Sequence, residues 1–146
     1  MANIDKLCAQ IGFKIPNEDW DKSKQENVIQ KALSILSEDG IFAFWVWLDS
    51  EKGEIKEGNL KPENKSVRSV AFHCVDLLKN TINFPNEFEL NDILTNDQRC
   101  NDFINKVREK LIEAGGMLED IHRMFLIKQL LERTLTYAFY RARALP

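Results

Sequence analysis

The sequence predicts an all-α fold, a single-domain helical bundle of about five helices that ends in a long C-terminal helix. Apolar residues recur at helical spacing through most of the chain, and helix-capping or helix-stopping residues flank these segments. Only six glycines and four prolines interrupt the 146 residues. This length fits one domain, residues 1–146, which can bury a core without disulfides or metal.

The N-terminal part is predicted to be irregular before the first helix begins. Residues 1–22 show no convincing period, and Pro16 introduces a turn. Ser23 followed by Glu26 is typical of a capping box, and Asp39-Gly40 provides the stop. The helix between these signals has an apolar stripe of Val28, Ile29, Ala32, Leu33, Ile35 and Leu36.

The run IFAFWVWL, residues 41–48, cannot be assigned by periodicity because all eight residues are apolar. Its aromatic and β-branched content favours a strand that turns back as a hairpin. Its surroundings favour a helix, since no other stretch is a persuasive strand and a lone hairpin is marginally stable. We prefer the helix and keep the strand open. Because the run is apolar on all sides, we expect Trp45 to be buried and Trp47 or Phe42 to contact another subunit.

A polar segment, residues 50–65, predicts the one long loop of the domain. The helix after it follows Pro62, with Ser66 as its cap, and ends near Asn80. The stretch ELNDIL, residues 89–94, suits a short helical turn.

Two further helices complete the predicted bundle. Thr95 and Gln98 form a second capping box, which opens a helix that Gly115-Gly116 closes. Residues 117–145 contain neither Gly nor Pro, so they predict a 29-residue helix. Apolar residues cover much of its circumference, which is typical of a central helix or one shared with a partner.

Targeting and redox signals point to an ordinary cytoplasmic protein without membrane contact. The apolar run is shorter than the roughly 20 residues that span a bilayer, and the N-terminus lacks the order of a signal peptide. The cysteines Cys8, Cys74 and Cys100 are far apart and form no C-x-x-C pair. We therefore expect reduced thiols, and we interpret Cys74 and Cys100 as core residues because they lie on apolar stripes.

Motifs for catalysis are absent from the sequence. It contains no nucleotide-binding glycine loop, nucleophile elbow or zinc signature. We therefore predict no catalytic residue, no metal, no cofactor and no small-molecule substrate. The alternative is a stand-alone metal-binding bundle or enzyme that uses Glu119 and His122, whose spacing puts both on one helical face. The only other histidine, His73, has Asp76 in the reverse order, and we interpret it as a surface or boundary residue.

Charge is distributed unevenly along the chain. Residues 121–146 carry a net charge of +4 and the preceding part carries −7. In TYAFYRARAL, residues 136–145, arginines follow aromatic residues, a mixture that can neutralise phosphates and stack bases. The alternative is that the aromatics belong to the core and the arginines are C-terminal charges favoured by the helix dipole. We favour the core interpretation for the aromatics and leave the arginines open.

Four segments in order resemble a known family. They are EDGIFAFWVWLDSEKG, VAFHCVDLLKNT, ELNDILTND and LERTLTYAFYRARAL, and they look like the small all-helical subunit of the Cmr-type (type III-B) CRISPR effector complex. The resemblance implies a compact helical protein without catalytic activity, whose copies stack in a ribonucleoprotein filament that serves antiviral defence. Basic residues near the target strand would be Arg133, Arg141 and Arg143. We therefore predict a helical subunit or scaffold whose partners are protein subunits of a larger complex or further copies of itself, with RNA or DNA nearby.

Overall fold

In the computed structural model, residues 3–116 and 121–146 are described, and they form seven α-helices. The all-α prediction is confirmed, with about seven helices in the described part of the chain instead of five. The helices are α1 (Asn3–Gly12), α2 (Lys22–Asp39), α3 (Ile41–Glu51), α4 (Pro62–Ile82), α5 (Leu90–Thr95), α6 (Asp97–Gly116) and α7 (Ile121–Arg143).

The N-terminal segment is helical where we predicted it to be irregular. Residues 3–12 form α1, which buries Cys8 and Ile11 and packs along α7. Gly12 permits this close approach, since a Cβ there would lie 2.5 Å from the carbonyl oxygen of Thr134. A ten-residue helix is marginal by itself. The contact with α7 therefore stabilises α1. This contact is between segments far apart in the sequence, so the local pattern of residues 3–12 does not predict it.

The predicted caps are displaced by a few residues in three helices. Asp21 caps α2 by accepting a hydrogen bond from the Lys24 amide at 2.9 Å, so Ser23 lies inside the helix. Ser66 likewise lies inside α4, which begins at Pro62, a residue suited to the first turn. Before α6, Asn96 replaces the predicted capping box at Thr95 by accepting from the Arg99 amide at 3.0 Å. Several short polar residues near each helix start are suitable caps. The tertiary structure determines which of them caps the helix.

The apolar run is a helix, as we preferred. Gly40, at a φ of 94°, separates α2 from α3 in a conformation that side chains rarely adopt. Trp45 is buried as predicted, and its Nε1 donates to the Ile104 carbonyl at 3.0 Å. Its ring meets that of Phe103 at 5.9 Å between centroids, in an edge-on arrangement. The inner face of α3 therefore belongs to the core.

The predicted polar loop is shorter than expected, because α3 extends to Glu51 and α4 begins at Pro62. The loop, residues 52–61, folds back on itself where the backbone groups of Lys56 and Asn59 pair in both directions at 2.9 Å. The Arg68 side chain of α4 holds the start of this loop, since it donates to the Lys52 carbonyl at 2.8 Å. A buried side chain of the bundle thus fixes the position of this loop.

The C-terminal helix α7 spans 23 residues, and residues 117–120 of the predicted 29-residue helix lie outside the described part. It packs against α1, α2 and α4. Lys128 Nζ donates to the Ser37 carbonyl at 2.9 Å, and the Ser37 hydroxyl donates to Glu132 at 2.8 Å. These two hydrogen bonds join α7 to the end of α2.

Within residues 3–116 and 121–146, no helix is both long enough and apolar enough to cross a membrane.

Candidate interaction surfaces

The outer face of α3 is apolar and uncovered. Its inner face lies in the core, whereas Phe42 and Val46, one helical turn apart, are 45% and 63% exposed. Ala43 and Ser50 share this side of the helix by their spacing. We call Phe42, Ala43, Val46 and Ser50 the α3 outer face. Of the two residues we expected at a subunit contact, Phe42 lies on this face.

Trp47 occupies a different side of α3. It is partly buried against the core, in a groove of about 160 Å³ between α2 and α4. Its Nε1 is buried and donates to no acceptor within the described residues. The structure therefore separates the two predicted contact residues, with Trp47 packed within the chain and Phe42 exposed.

The three predicted arginines have different surroundings. Arg133 Nε lies 3.7 Å from the Asp5 carboxylate of α1, and both side chains are about half exposed. Arg141 is exposed, and its side chain forms no ion pair or hydrogen bond with the described part of the chain. Arg143 is exposed and its guanidinium carbon lies 5.6 Å from the centroid of the Phe139 ring. Arg133 is thus partly neutralised, whereas Arg141 and Arg143 form the cationic end of α7.

The aromatic residues of α7 also divide into two groups. Phe139 packs against the core, and the Tyr137 hydroxyl donates to the Asp5 carboxylate at 2.9 Å. This hydrogen bond raises the pKa of Tyr137. Tyr140 is 61% exposed. The core interpretation therefore describes Tyr137 and Phe139, which pack against the core, and fails for the exposed Tyr140, whose ring centroid lies 6.2 Å from that of Phe139.

His73 is buried, so its interpretation as a surface or boundary residue is wrong. Its Nδ1 lies 2.9 Å from the Ser69 carbonyl and 3.2 Å from the Ser69 hydroxyl. That hydroxyl donates to the Ile15 carbonyl at 2.7 Å. Burial lowers the pKa of His73 despite the opposing effect of its hydrogen bond to Ser69. Both side chains are enclosed, so this pair joins α4 to the segment after α1 and offers no accessible nucleophile.

All three cysteines are buried free thiols, as expected. Burial raises the pKa of Cys74 to about 12 and also raises that of Cys100. A thiol that stays protonated is a poor nucleophile. Cys74 and Cys100 therefore act as small core residues, which confirms their interpretation.

The alternative metal site cannot be built from described residues alone. Glu119 lies in residues 117–120, outside the described part, and His122 is exposed at the start of α7. Residues 3–116 and 121–146 contain no group of three His, Cys, Asp or Glu side chains placed to hold a metal ion.

Sequence reasoning missed a groove between α6 and the segment that follows α4. Its volume is about 460 Å³, and Phe88 and Val107 lie on its floor. Lys106 and Lys110 border it. No local signal marks it, because its two walls are about 20 residues apart and each resembles an ordinary surface by itself.

The four segments that carry the family resemblance fall on the end of α2 with α3, on α4, on α5 and on α7. This distribution is that of an all-helical protein in general and does not single out one family. The likeness to the Cmr-type small subunit stays a prediction. Comparison of the chain with protein-family models, with curated proteins and with solved structures finds no match.

Proposed function

We propose that the protein is a non-catalytic helical subunit that acts through protein–protein contacts within a larger complex. The observation that carries the proposal is the α3 outer face, where Phe42 and Val46 lie exposed one turn apart. Removing one large apolar side chain from water contributes about 1.5–3 kcal/mol. Folding leaves a little under half of this contribution unused at Phe42, which is 45% exposed, and more than half at Val46, which is 63% exposed, so a partner that covers them gains the remainder.

The chemistry around this face favours a partner with an apolar helix stripe flanked by cations. Asp39 precedes α3 and forms no ion pair within the described residues. Asp49 borders the face on the α6 side, but it is already paired within the chain, with Lys52 at Oδ1 and with Arg108, 3.5 Å from Oδ2. The unpaired carboxylate of Asp39, at the rim of an apolar contact, therefore selects a partner that carries Lys or Arg at the matching position. The partner is therefore another protein subunit with such a helix.

The proposal extends to the cationic end of α7, which would lie beside an RNA or DNA backbone, as the resemblance to the CRISPR subunit implies. Arg141 and Arg143 are exposed, and Tyr140 offers an open ring next to them. Arginine contacts to phosphate and base stacking on aromatic rings are the main components of single-strand binding. Arg133 contributes less, because Asp5 lies 3.7 Å away.

A position-specific crosslink tests the protein–protein part. We would place the photoreactive residue benzoylphenylalanine at position 42 of the full chain and express it in the cells that encode the protein. We expect one defined adduct whose crosslinked peptide, identified by mass spectrometry, is an apolar helix with flanking Lys or Arg. The adduct should disappear when V46D is added, because a carboxylate in the centre of the contact opposes burial.

The matched control carries the same photoreactive residue at position 112. Ile112 is 58% exposed, between the values of Phe42 and Val46, but it lies on α6. We expect no defined adduct from this position. Equal adducts from both positions would show non-specific contact, and the lack of any adduct from position 42 would contradict the α3 outer face as an interface.

A further inference from the structure

Phe13 is an exposed aromatic residue that the fold holds in a fixed position. It is 48% exposed and directly follows α1. Its amide donates to the Ala9 carbonyl at 2.9 Å, which continues the hydrogen bonding of α1. Two residues later, Ile15 is buried and its carbonyl accepts from the Ser69 hydroxyl at 2.7 Å. The backbone is thus fixed on both sides of Phe13, so little ordering is needed when its ring binds a ligand.

The Phe13 ring lies against Tyr137 of α7. The two ring centroids are 5.9 Å apart, and the rings meet edge-on at 84°. This contact is typical of aromatic pairs and fixes the direction of the Phe13 ring. Because nearly half of Phe13 stays in water, a planar group can stack on the exposed part of the ring.

Unpaired cations lie on both sides of this aromatic pair. Lys14 directly follows Phe13 and is exposed, and its side chain forms no ion pair or hydrogen bond within the described residues. Arg141 lies one turn after Tyr137 on the same side of α7 and is likewise exposed and unpaired within that part of the chain. The pair therefore has a cation from the segment after α1 and another from α7.

A carboxylate also contacts the aromatic pair. It belongs to Asp5, which accepts the hydrogen bond of the Tyr137 hydroxyl at 2.9 Å. Arg133 Nε lies 3.7 Å from the same carboxylate and offsets its charge. Lys14 and Arg141 have no such offset, so the surface around the pair favours an anion.

We propose that Phe13 stacks on a base of a single-stranded nucleic acid whose phosphates contact Lys14 and Arg141. An exposed aromatic ring flanked by cations is the combination that binds single strands with little sequence preference. An apolar protein segment would cover Phe13 but leave both cations without a partner. The inference rests on the proposed contact between α7 and nucleic acid, to which it adds a stacking residue from the segment after α1.

Two oligomers of equal length separate stacking from phosphate contact. Oligouridine has both bases and phosphates, whereas an abasic oligomer has only the phosphates. Fluorescence anisotropy with the full chain at low salt gives the Kd of each. F13A should raise the Kd of oligouridine about fivefold or more and leave that of the abasic oligomer unchanged, because stacking needs a base. F13W should restore the affinity, since it keeps an aromatic ring.

Loss of a cation should affect both oligomers, because both carry phosphates. K14A, and separately R141A with R143A, should raise both Kd values. F125A is the matched control for F13A. Phe125 is 58% exposed and lies about 18 Å before Tyr137 along α7. F125A should change neither Kd, and circular dichroism should show the helix content of the original chain in both phenylalanine variants.

Three results would overturn the inference. If F13A bound oligouridine as tightly as the original chain, Phe13 would have no part in binding, although a loss in R141A with R143A would still support the proposed function. Equal weakening of both oligomers by F13A would show that its effect is not stacking. Absence of binding to either oligomer would overturn the inference together with the nucleic-acid part of the proposed function.

Discussion

The buried guanidinium of Arg68 lies against the carboxylate of Asp97, with Nη2 2.8 Å from Oδ1. Arg68 is 1% exposed, and its remaining donors meet the carbonyl oxygens of Lys52, Gly53 and Ile93, each at 2.8 Å. One side chain of α4 thus binds the loop after α3, the end of α5 and the first residue of α6. The Asp97 carboxylate also accepts from the Ile55 amide at 3.1 Å, which joins the loop to α6 directly.

Replacing Arg68 by Met is expected to destabilise the fold strongly. The variant R68M leaves three carbonyl groups without their donor, at about 1–3 kcal/mol for each one that stays buried, whereas the Asp97 carboxylate is 38% exposed and keeps the Ile55 amide as a donor. Urea unfolding followed by circular dichroism measures the loss. R108M is the control, because Arg108 is about half exposed and its contact with Asp49 is 3.5 Å long. A loss below about 1 kcal/mol in R68M, similar to that of an exposed pair, would contradict this assignment.

The pH dependence of stability should report the burial of His73. Burial lowers its pKa below the ordinary 6.5, so the unfolded chain binds the proton more tightly than the folded chain. Stability from this group is therefore complete above pH 6.5 and decreases as the pH falls below 6.5 toward the folded pKa. The slope cannot exceed about 1.4 kcal/mol per pH unit for one proton. Urea unfolding between pH 7.5 and 5.5, about the interval in which histidine titrates, measures it.

Two variants separate His73 from other titrating groups. H73N keeps a donor near the Ser69 carbonyl but carries no titratable ring, so its stability should change little over this interval. H122Q removes the chain's only other histidine, which is exposed, and it should retain the dependence of the original chain. If H122Q, not H73N, abolished the dependence, the assignment to His73 would be wrong.

The cationic end of α7 should weaken RNA binding when it is neutralised. We expect single-stranded oligouridine to bind at low salt, measured by fluorescence anisotropy, and R141A with R143A to reduce the affinity. Two lost phosphate contacts should lower the slope of log K against log salt by about 1.4. R133A should have a smaller effect, because Asp5 already neutralises part of that charge. Absence of binding at low salt, by the chain alone or in its complex, would refute the nucleic-acid part of the proposal.

Prediction from the sequence succeeded where the determining interactions are local. The helix stop at Gly40 follows from backbone conformation, and the burial of Cys74 and Cys100 follows from apolar stripes at helical spacing. Prediction was less successful at helix starts. At the start of α2, for example, Ser23 and Asp21 are nearly equivalent caps when only the neighbouring residues are considered. For the candidate surfaces, the sequence identified the apolar run but could not assign Phe42 and Trp47 to different sides.

The sequence by itself determined the all-α class, the course of the long helices and the position of the arginines at the end of α7. Only the tertiary structure decided that residues 3–12 are helical, that His73 and Arg68 are buried, and that Phe88 and Val107 form a groove. The reason is that the periodicity of a helix can be recognised from a few consecutive turns, whereas the burial of a residue depends on which helix faces pack against each other. The hydrogen bond between Asp5 and Tyr137 is one such contact, since these residues are 132 positions apart in the sequence.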